Sequence, residues 1–245
     1  DSINGIDLRI SDMRIAQREF SDLQLKTSKK TDSLRIDIKG ILLDTVNAGF
    51  DLALNLYRPQ DTTFIFDFLP SKINYGEYVV ENKGVGEIWY NPSGVEVQGV
   101  VLEGEENEGS LFVNGFISKS PYQVLRLNFD GFEAGLFNPL LRIYNTEIFA
   151  KVNGQVIMSE LLEDPKYGIQ LQTDETRFNN FELGTIDLQS EWSIYTGVVD
   201  LKGSIDQKDL KKLDLEGFFY PDSLYSDIQL KFNRFDADVL QPYVR

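Results

Sequence analysis

The chain reads as an all-β protein, an antiparallel-rich sheet built from repeats with little helix. Three observations point to it. Apolar and polar residues alternate with period two through much of the sequence. A sixteen-residue block occurs twice. Glycine recurs at a fixed place in the strand pattern. Alternation puts aliphatic side chains on one face of a strand and charged or amide groups on the other, the mark of an antiparallel sheet with one wet face.

Taken in order, the alternating runs are Leu34–Lys39, Val95–Gln98, Val199–Lys202, Leu213–Glu216 and Ile228–Lys231. Ile36–Gly40, Val95–Gly99, Leu111–Gly115, Val199–Gly203 and Leu213–Gly217 share the longer pattern aliphatic, any, aliphatic, any, glycine. Glycine inside a strand marks a bulge, a bend or a close approach, so five copies predict a bend at one depth in successive strands. Asn91–Gly94, Glu103–Gly109, Asp164–Pro165 and Pro221–Ser223 are polar turns. Helical signal is thin. Asp206–Lys212 reads as a turn or a short helix, and Phe132–Arg142 as a short helix or an ordered loop.

Leu127–Arg142 aligns without a gap on Leu230–Arg245, with identities at Leu127/Leu230, Phe129/Phe232, Phe132/Phe235, Ala134/Ala237, Pro139/Pro242 and Arg142/Arg245. Trp89 and Trp192, the two tryptophans, stand at the same offset as Leu127 and Leu230, while Val95 and Val199 are one residue further apart. The repeated unit is therefore a tryptophan-led strand, two strands ending in glycine, and a strand running into Phe-x-x-Phe-x-Ala. Such repeats build an elongated object. The whole chain, 1–245, is expected to be one continuous repeat-built body: 1–43 the end of an earlier repeat, then repeats at 44–142 and 143–245. The copied block at the C-terminus predicts an excerpt from a longer array.

Composition removes more chemistry than any motif supports. There is no cysteine and no histidine, hence no thiolate site, no cysteine nucleophile and no imidazole base or ligand. No cofactor and no enzymatic activity are expected. The formal charge of −15 opposes nucleic acid, and none is expected as a partner. No apolar run approaches the roughly 20 residues that span a bilayer. The acidic run Glu103–Glu108 lacks the alternating ligand pattern of a calcium loop and reads as a hairpin tip. Gly84 and Gly86 open no dinucleotide motif, and neighbouring carboxylates such as Asp236 and Asp238 have no cleft assigned to them.

A sheet with one apolar face must cover that face. It closes into a dry sandwich, or it curls into a gutter lined for a greasy ligand; periodicity alone leaves both open. Each buried methylene contributes about 0.8 kcal/mol, so an acyl chain binds well along such a lining.

Phe132–Leu141, Val152–Val156 and Asp164–Gly168, behind the glycine-ended strands and the strand led by Trp89, resemble the TamB (translocation and assembly module) family of the AsmA-like superfamily. The likeness covers about three-quarters of the chain, from Phe64 onward, and rests on no catalytic motif. It implies a β-taco: a curved sheet with a hydrophobic concave face. It implies a periplasmic protein of a Gram-negative bacterium, anchored in the inner membrane. It also implies a non-enzymatic bridge carrying phospholipid or another acyl lipid toward the outer membrane, with an outer-membrane partner barrel of the BamA/TamA type. The expected lining is Ile36, Ile38, Val95, Val97, Leu111, Val113, Leu125, Leu127, Val199, Leu201, Leu213, Leu215, Ile228 and Leu230. Glu96, Gln98, Asp200, Lys202, Asp214 and Glu216 are expected to face water. Two alternatives stand beside this reading. One is a chaperone or assembly module for outer-membrane β-barrel proteins that works through sheet edges. The other is a carbohydrate-handling β-sandwich with an aromatic platform.

Overall fold

The computed structural model describes residues 5–15, 18–43, 47–76, 78–104, 109–142, 145–193, 196–208, 210–221 and 225–235. Strand takes up 77% of the chain and helix 4%, so the fold class is all-β. The strands are β1 (Gly5–Ile15), β2 (Arg18–Lys29), β3 (Leu34–Leu43), β4 (Ala48–Gln60), β5 (Thr63–Phe68), β6 (Ser71–Tyr75), β7 (Tyr78–Asn82), β8 (Gly86–Asn91) and β9 (Gly94–Gly104). They continue with β10 (Ser110–Ser118), β11 (Val124–Glu133), β12 (Ile148–Ser159), β13 (Lys166–Phe178), β14 (Phe181–Trp192), β15 (Val199–Gln207), β16 (Leu210–Tyr220) and β17 (Tyr225–Phe232). A 3-10 turn at Ala134–Phe137 runs into the short helix α1 (Asn138–Leu141). The alternating runs fall in β3, β9, β15, β16 and β17, and Asp206–Lys212 forms the β15–β16 hairpin. Phe132–Arg142 contains the 3-10 turn and α1. Its copy beyond Phe235, the acidic residues 105–108 and residues 222–224 of the Pro221 turn lie outside the described residues.

The chain packs as two compact units, residues 1–127 with 159–164, and residues 128–158 with 165–245. This division does not follow the repeat boundaries at 43/44 and 142/143. In unit 1, β1 to β4 pair in sequence, all antiparallel. β4 then serves two partners: Leu54–Tyr57 lie opposite Phe68–Ile65 of β5, and Ala48–Asp51 opposite Tyr75–Lys72 of β6. β5 pairs onward with β8 and β6 with β7, and β9 gathers both branches before pairing with β10.

A buried polar knot closes the split. The Asn82 amide donates to the carbonyls of Phe68, Leu69 and Gly84 at 2.9, 2.9 and 3.0 Å. Ser71 Oγ accepts from Ala53 N at 3.0 Å and donates to the Leu69 carbonyl at 2.8 Å. Strand ends buried inside a sheet leave backbone groups without ladder partners, and these side chains satisfy them.

Unit 2 is a plain meander, with β13 to β17 pairing antiparallel in order. Its tight core is small. Ala134 packs on Ala150 and Val152, flanked by Phe129, Ile148 and Leu171. Phe132 is buried beside it, its ring 6.1 Å from Phe129 and 5.9 Å from Phe137. Asn138, fully buried, accepts from Ile148 N at 2.8 Å, and Arg142 closes on Glu147 at 2.6 Å. The 3-10 turn and α1 are thereby fastened to the start of β12.

The five pattern glycines do not behave alike. Gly99, Gly115 and Gly217 have positive φ of 64°, 122° and 156°; Gly40 and Gly203 do not. At Gly115 and Gly217 a Cβ would overlap the carbonyl oxygens of Val124 and Asp227 on the following strands. Those positions therefore require glycine for backbone conformation and for close approach. The register of β10 against β9 slips between Val113 and Gly115, which keeps Val95, Val97, Val100 and Leu102 on one face despite the odd spacing.

Candidate functional site

Directly opposed residues share a sheet face, so the register shows how far the aliphatic positions align. In unit 1 one ladder runs Leu34, Leu56, Phe66, Ile88, Val97, Gly115 across β3, β4, β5, β8, β9 and β10. Beside it Ile36 faces Leu54 and Ile38 faces Leu52. Val95 faces Tyr90, Leu111 faces Leu102 and Val113 faces Val100. In unit 2, Leu171, Leu188, Gly203, Leu215 and Leu230 form one ladder. Ile186, Ile205, Leu213 and Phe232 form the next. Leu201, Gly217 and Ile228 share that face, as do Val199 and Phe219. Twelve of the fourteen expected residues thus stand opposite at least one apolar residue or glycine in the register. Leu125 and Leu127 lie on β11, the first buried and the second half-buried.

Those faces are unevenly covered. Val97, Leu111 and Leu125 are 8%, 4% and 7% exposed, whereas Ile228, Leu230 and Phe232 on β17 are 39%, 49% and 53% exposed. Ile36, Ile38, Val95, Val113, Val199, Leu201, Leu213 and Leu215 are half-buried. Ile6, Leu8 and Met13 of β1 are also exposed. Large apolar side chains left accessible in a row mark a surface that takes a partner or ligand.

The residues expected to face water alternate with these aliphatic positions, and Glu96, Asp200 and Asp214 among them are half-buried. Glu96 stands between Trp89 and Phe116, and Gln98 opposite Glu87. Lys202 lies between Gln189 and Glu216, and Asp214 between Ser204 and Lys231. Asp200 lies between Glu191 and Phe218. In unit 1 this side is a ladder of alternating charge. Asp7, Lys26 and Asp37 are opposed in sequence, as are Lys39, Asp51, Lys72 and Glu81. Lys39 reaches Asp51 at 2.6 Å and Lys72 reaches Glu81 at 3.1 Å. Asp214, 3.0 Å from Lys211, raises that ammonium's pKa, and a hydrogen bond to Asp67 raises the Tyr57 phenol's.

One hollow, of about 350 Å³ in unit 2, is lined in part by Phe181, Leu183, Ile205 and Phe235, and three others open on the polar faces. One of about 610 Å³ in unit 1 is lined by Lys26, Arg35, Asp37, Lys39, Asp51 and Lys72 among others. Two of about 430 and 440 Å³ in unit 2 share Gln155, Gln170 and Gln189. Sequence reasoning missed these amides because they become neighbours only through strand register. Among the described residues no group of three or more His, Cys, Asp or Glu side chains is placed to hold a metal ion, and no helix is long and apolar enough to cross a membrane.

Compared with protein-family models, curated proteins and solved structures, the chain matches none.

Proposed function

We propose that the chain is a non-enzymatic, bridge-like lipid-transport module whose apolar sheet faces hold phospholipid acyl chains. The observation that carries the reading is the set of cross-strand aliphatic ladders, several strands wide in each unit and still partly accessible. Apolar surface laid out in parallel rows offers an acyl chain nearly the same affinity at each step, so the chain shifts along it without entering water. The resemblance to the TamB family supports the same reading. With it come a periplasmic setting, an inner-membrane anchor and an outer-membrane BamA/TamA-type partner.

The test is native mass spectrometry of the gently extracted protein, beside a Leu201→Asp variant. Leu201 is half-buried on the apolar face of β15. Phospholipid is expected on the parent chain and at least tenfold less on the variant, with the strand signal in circular dichroism retained. Equal loading of both would refute the reading.

A second reading, uptake of nascent outer-membrane strands by sheet edges, draws on β17, every residue of which is exposed. Ser226→Pro separates the two: with Asn233 N on the Lys212 carbonyl, the register turns the Ser226 N–H away from β16, so proline removes an edge donor while leaving the aliphatic row in place. Strand capture would fall and lipid loading would persist.

A further inference from the structure

We propose that the polar face of unit 2 carries a shallow site for a neutral, linear oligosaccharide, distinct from the apolar face and independent of the lipid reading. Gln170 of β13 lies directly opposite Gln189 of β14, and Gln155 of β12 reaches Gln170 at 3.4 Å. Three amides therefore stand in a row across three strands, at the interstrand step of about 4.8 Å. Successive rings of a β-1,4-linked glucan advance by a closely similar distance, so each ring meets one amide. A glutamine amide brings two donors and a carbonyl acceptor. The Gln155–Gln170 contact uses one of each and Gln189 Nε2 donates to Asp187 Oδ1 at 3.3 Å, which leaves the remaining amide donors and carbonyl lone pairs to a ligand's hydroxyls.

The floor fits a sugar ring as well. Gly168 leaves it bare, since the nearest atom to a Cβ there would be Ser190 O at 3.8 Å. Ile157 borders the same hollow and offers an apolar contact for the ring's C–H face. Charge selects against ions of the wrong sign. Asp187, Glu191 and Asp200 surround the row, and the one lysine lining these hollows, Lys202, is held by Asp200 at 3.6 Å. Anions are repelled there, and a neutral polyol is not. With no aromatic ring in either lining, the affinity is set by hydrogen bonds exchanged with water and falls in the millimolar range.

The experiment is a titration of the isotope-labelled chain with cellohexaose, followed by NMR. The side-chain amide signals of Gln155, Gln170 and Gln189 are expected to shift and saturate in the millimolar range. The combined Gln155→Thr, Gln170→Thr and Gln189→Thr variant keeps strand-forming residues and is expected to bind at least tenfold more weakly. Gly168→Val fills the floor without touching an amide, and it is expected to weaken binding as much. The proposal is overturned if the glucan produces no saturable shift, if both variants bind like the parent, or if trilysine shifts these amides and the glucan does not.

Discussion

The two copies of the repeat invite a direct comparison, because their elements correspond strand for strand: β8 to β14, β9 to β15, β10 to β16 and β11 to β17. Their heads differ, and their feet share one backbone kink. Trp89 lies between Ile65 and Glu96, on the face opposite that of Ile88 and Val97, whereas Trp192 lies opposite Val199, on the face of Leu188 and Leu201. The cause is a single residue. The turn from β8 to β9 has Asn91 opposite Gly94, while Ser193 to Val198 join β14 to β15, closed by the Ser193 amide on the Val198 carbonyl at 2.9 Å. Val95 follows Trp89 by six positions and Val199 follows Trp192 by seven, and one residue moves a side chain to the other face. At the feet, Gly131 and Arg234 occupy equivalent positions and both have left-handed φ, 59° and 53°. The same kink brings Phe129 onto Phe132 and Phe232 onto Phe235, at 6.1 and 5.7 Å. A motif written in sequence thus repeats as geometry where spacing is kept, and inverts where spacing slips.

The comparison breaks most readily at the feet. Phe132 is buried against the rings of Phe129 and Phe137, so Phe132→Ala is expected to cost about 3–5 kcal/mol. Phe235 is half-buried beside an exposed Phe232, so Phe235→Ala is expected to cost less than about 1.5 kcal/mol. Equal losses in urea unfolding would mean that the two feet pack alike. Glycines sharpen the contrast within one copy. Gly217→Ala is expected to cost roughly 1–3 kcal/mol, because it combines positive φ with overlap on the Asp227 carbonyl. Gly203→Ala, whose Cβ would sit 3.3 Å from Asp187 O, is expected to change the midpoint much less. The smallest effect is a gain. Arg234 holds a conformation that glycine adopts without penalty, so Arg234→Gly is expected to raise stability by up to about 1 kcal/mol.

Strands and faces were legible because a period of two is written residue by residue, as in Leu213–Glu216 and Ile228–Lys231. The repeat was legible for the same reason, and the extra residue between Trp192 and Val199 already carried the flip. Three features were not. The divided partnership of β4 depends on Asn82 and Ser71 meeting backbone from distant turns, which no local pattern records. Gly154 and Gly184 make the same close approaches as Gly115 and Gly217, to the carbonyls of Gln170 and Asp206, yet Gly184 ends no aliphatic-x-aliphatic-x run and Gly154 ends one only with the small Ala150 at its head. The Gln155–Gln170–Gln189 row exists only through register. Among the lining residues, exposure was the illegible part: alternation placed Val97 and Leu230 on apolar faces but said nothing of how deeply each is covered.

The opposed tryptophans also provide the most direct test of where lipid sits. In a single-tryptophan chain carrying Trp89→Phe, brominated phospholipid acyl chains are expected to quench Trp192, which shares its face with Val199 and Phe219. In the chain carrying Trp192→Phe, Trp89 is expected to stay bright. Quenching of Trp89 with Trp192 unaffected would contradict the assignment of lipid to the apolar face.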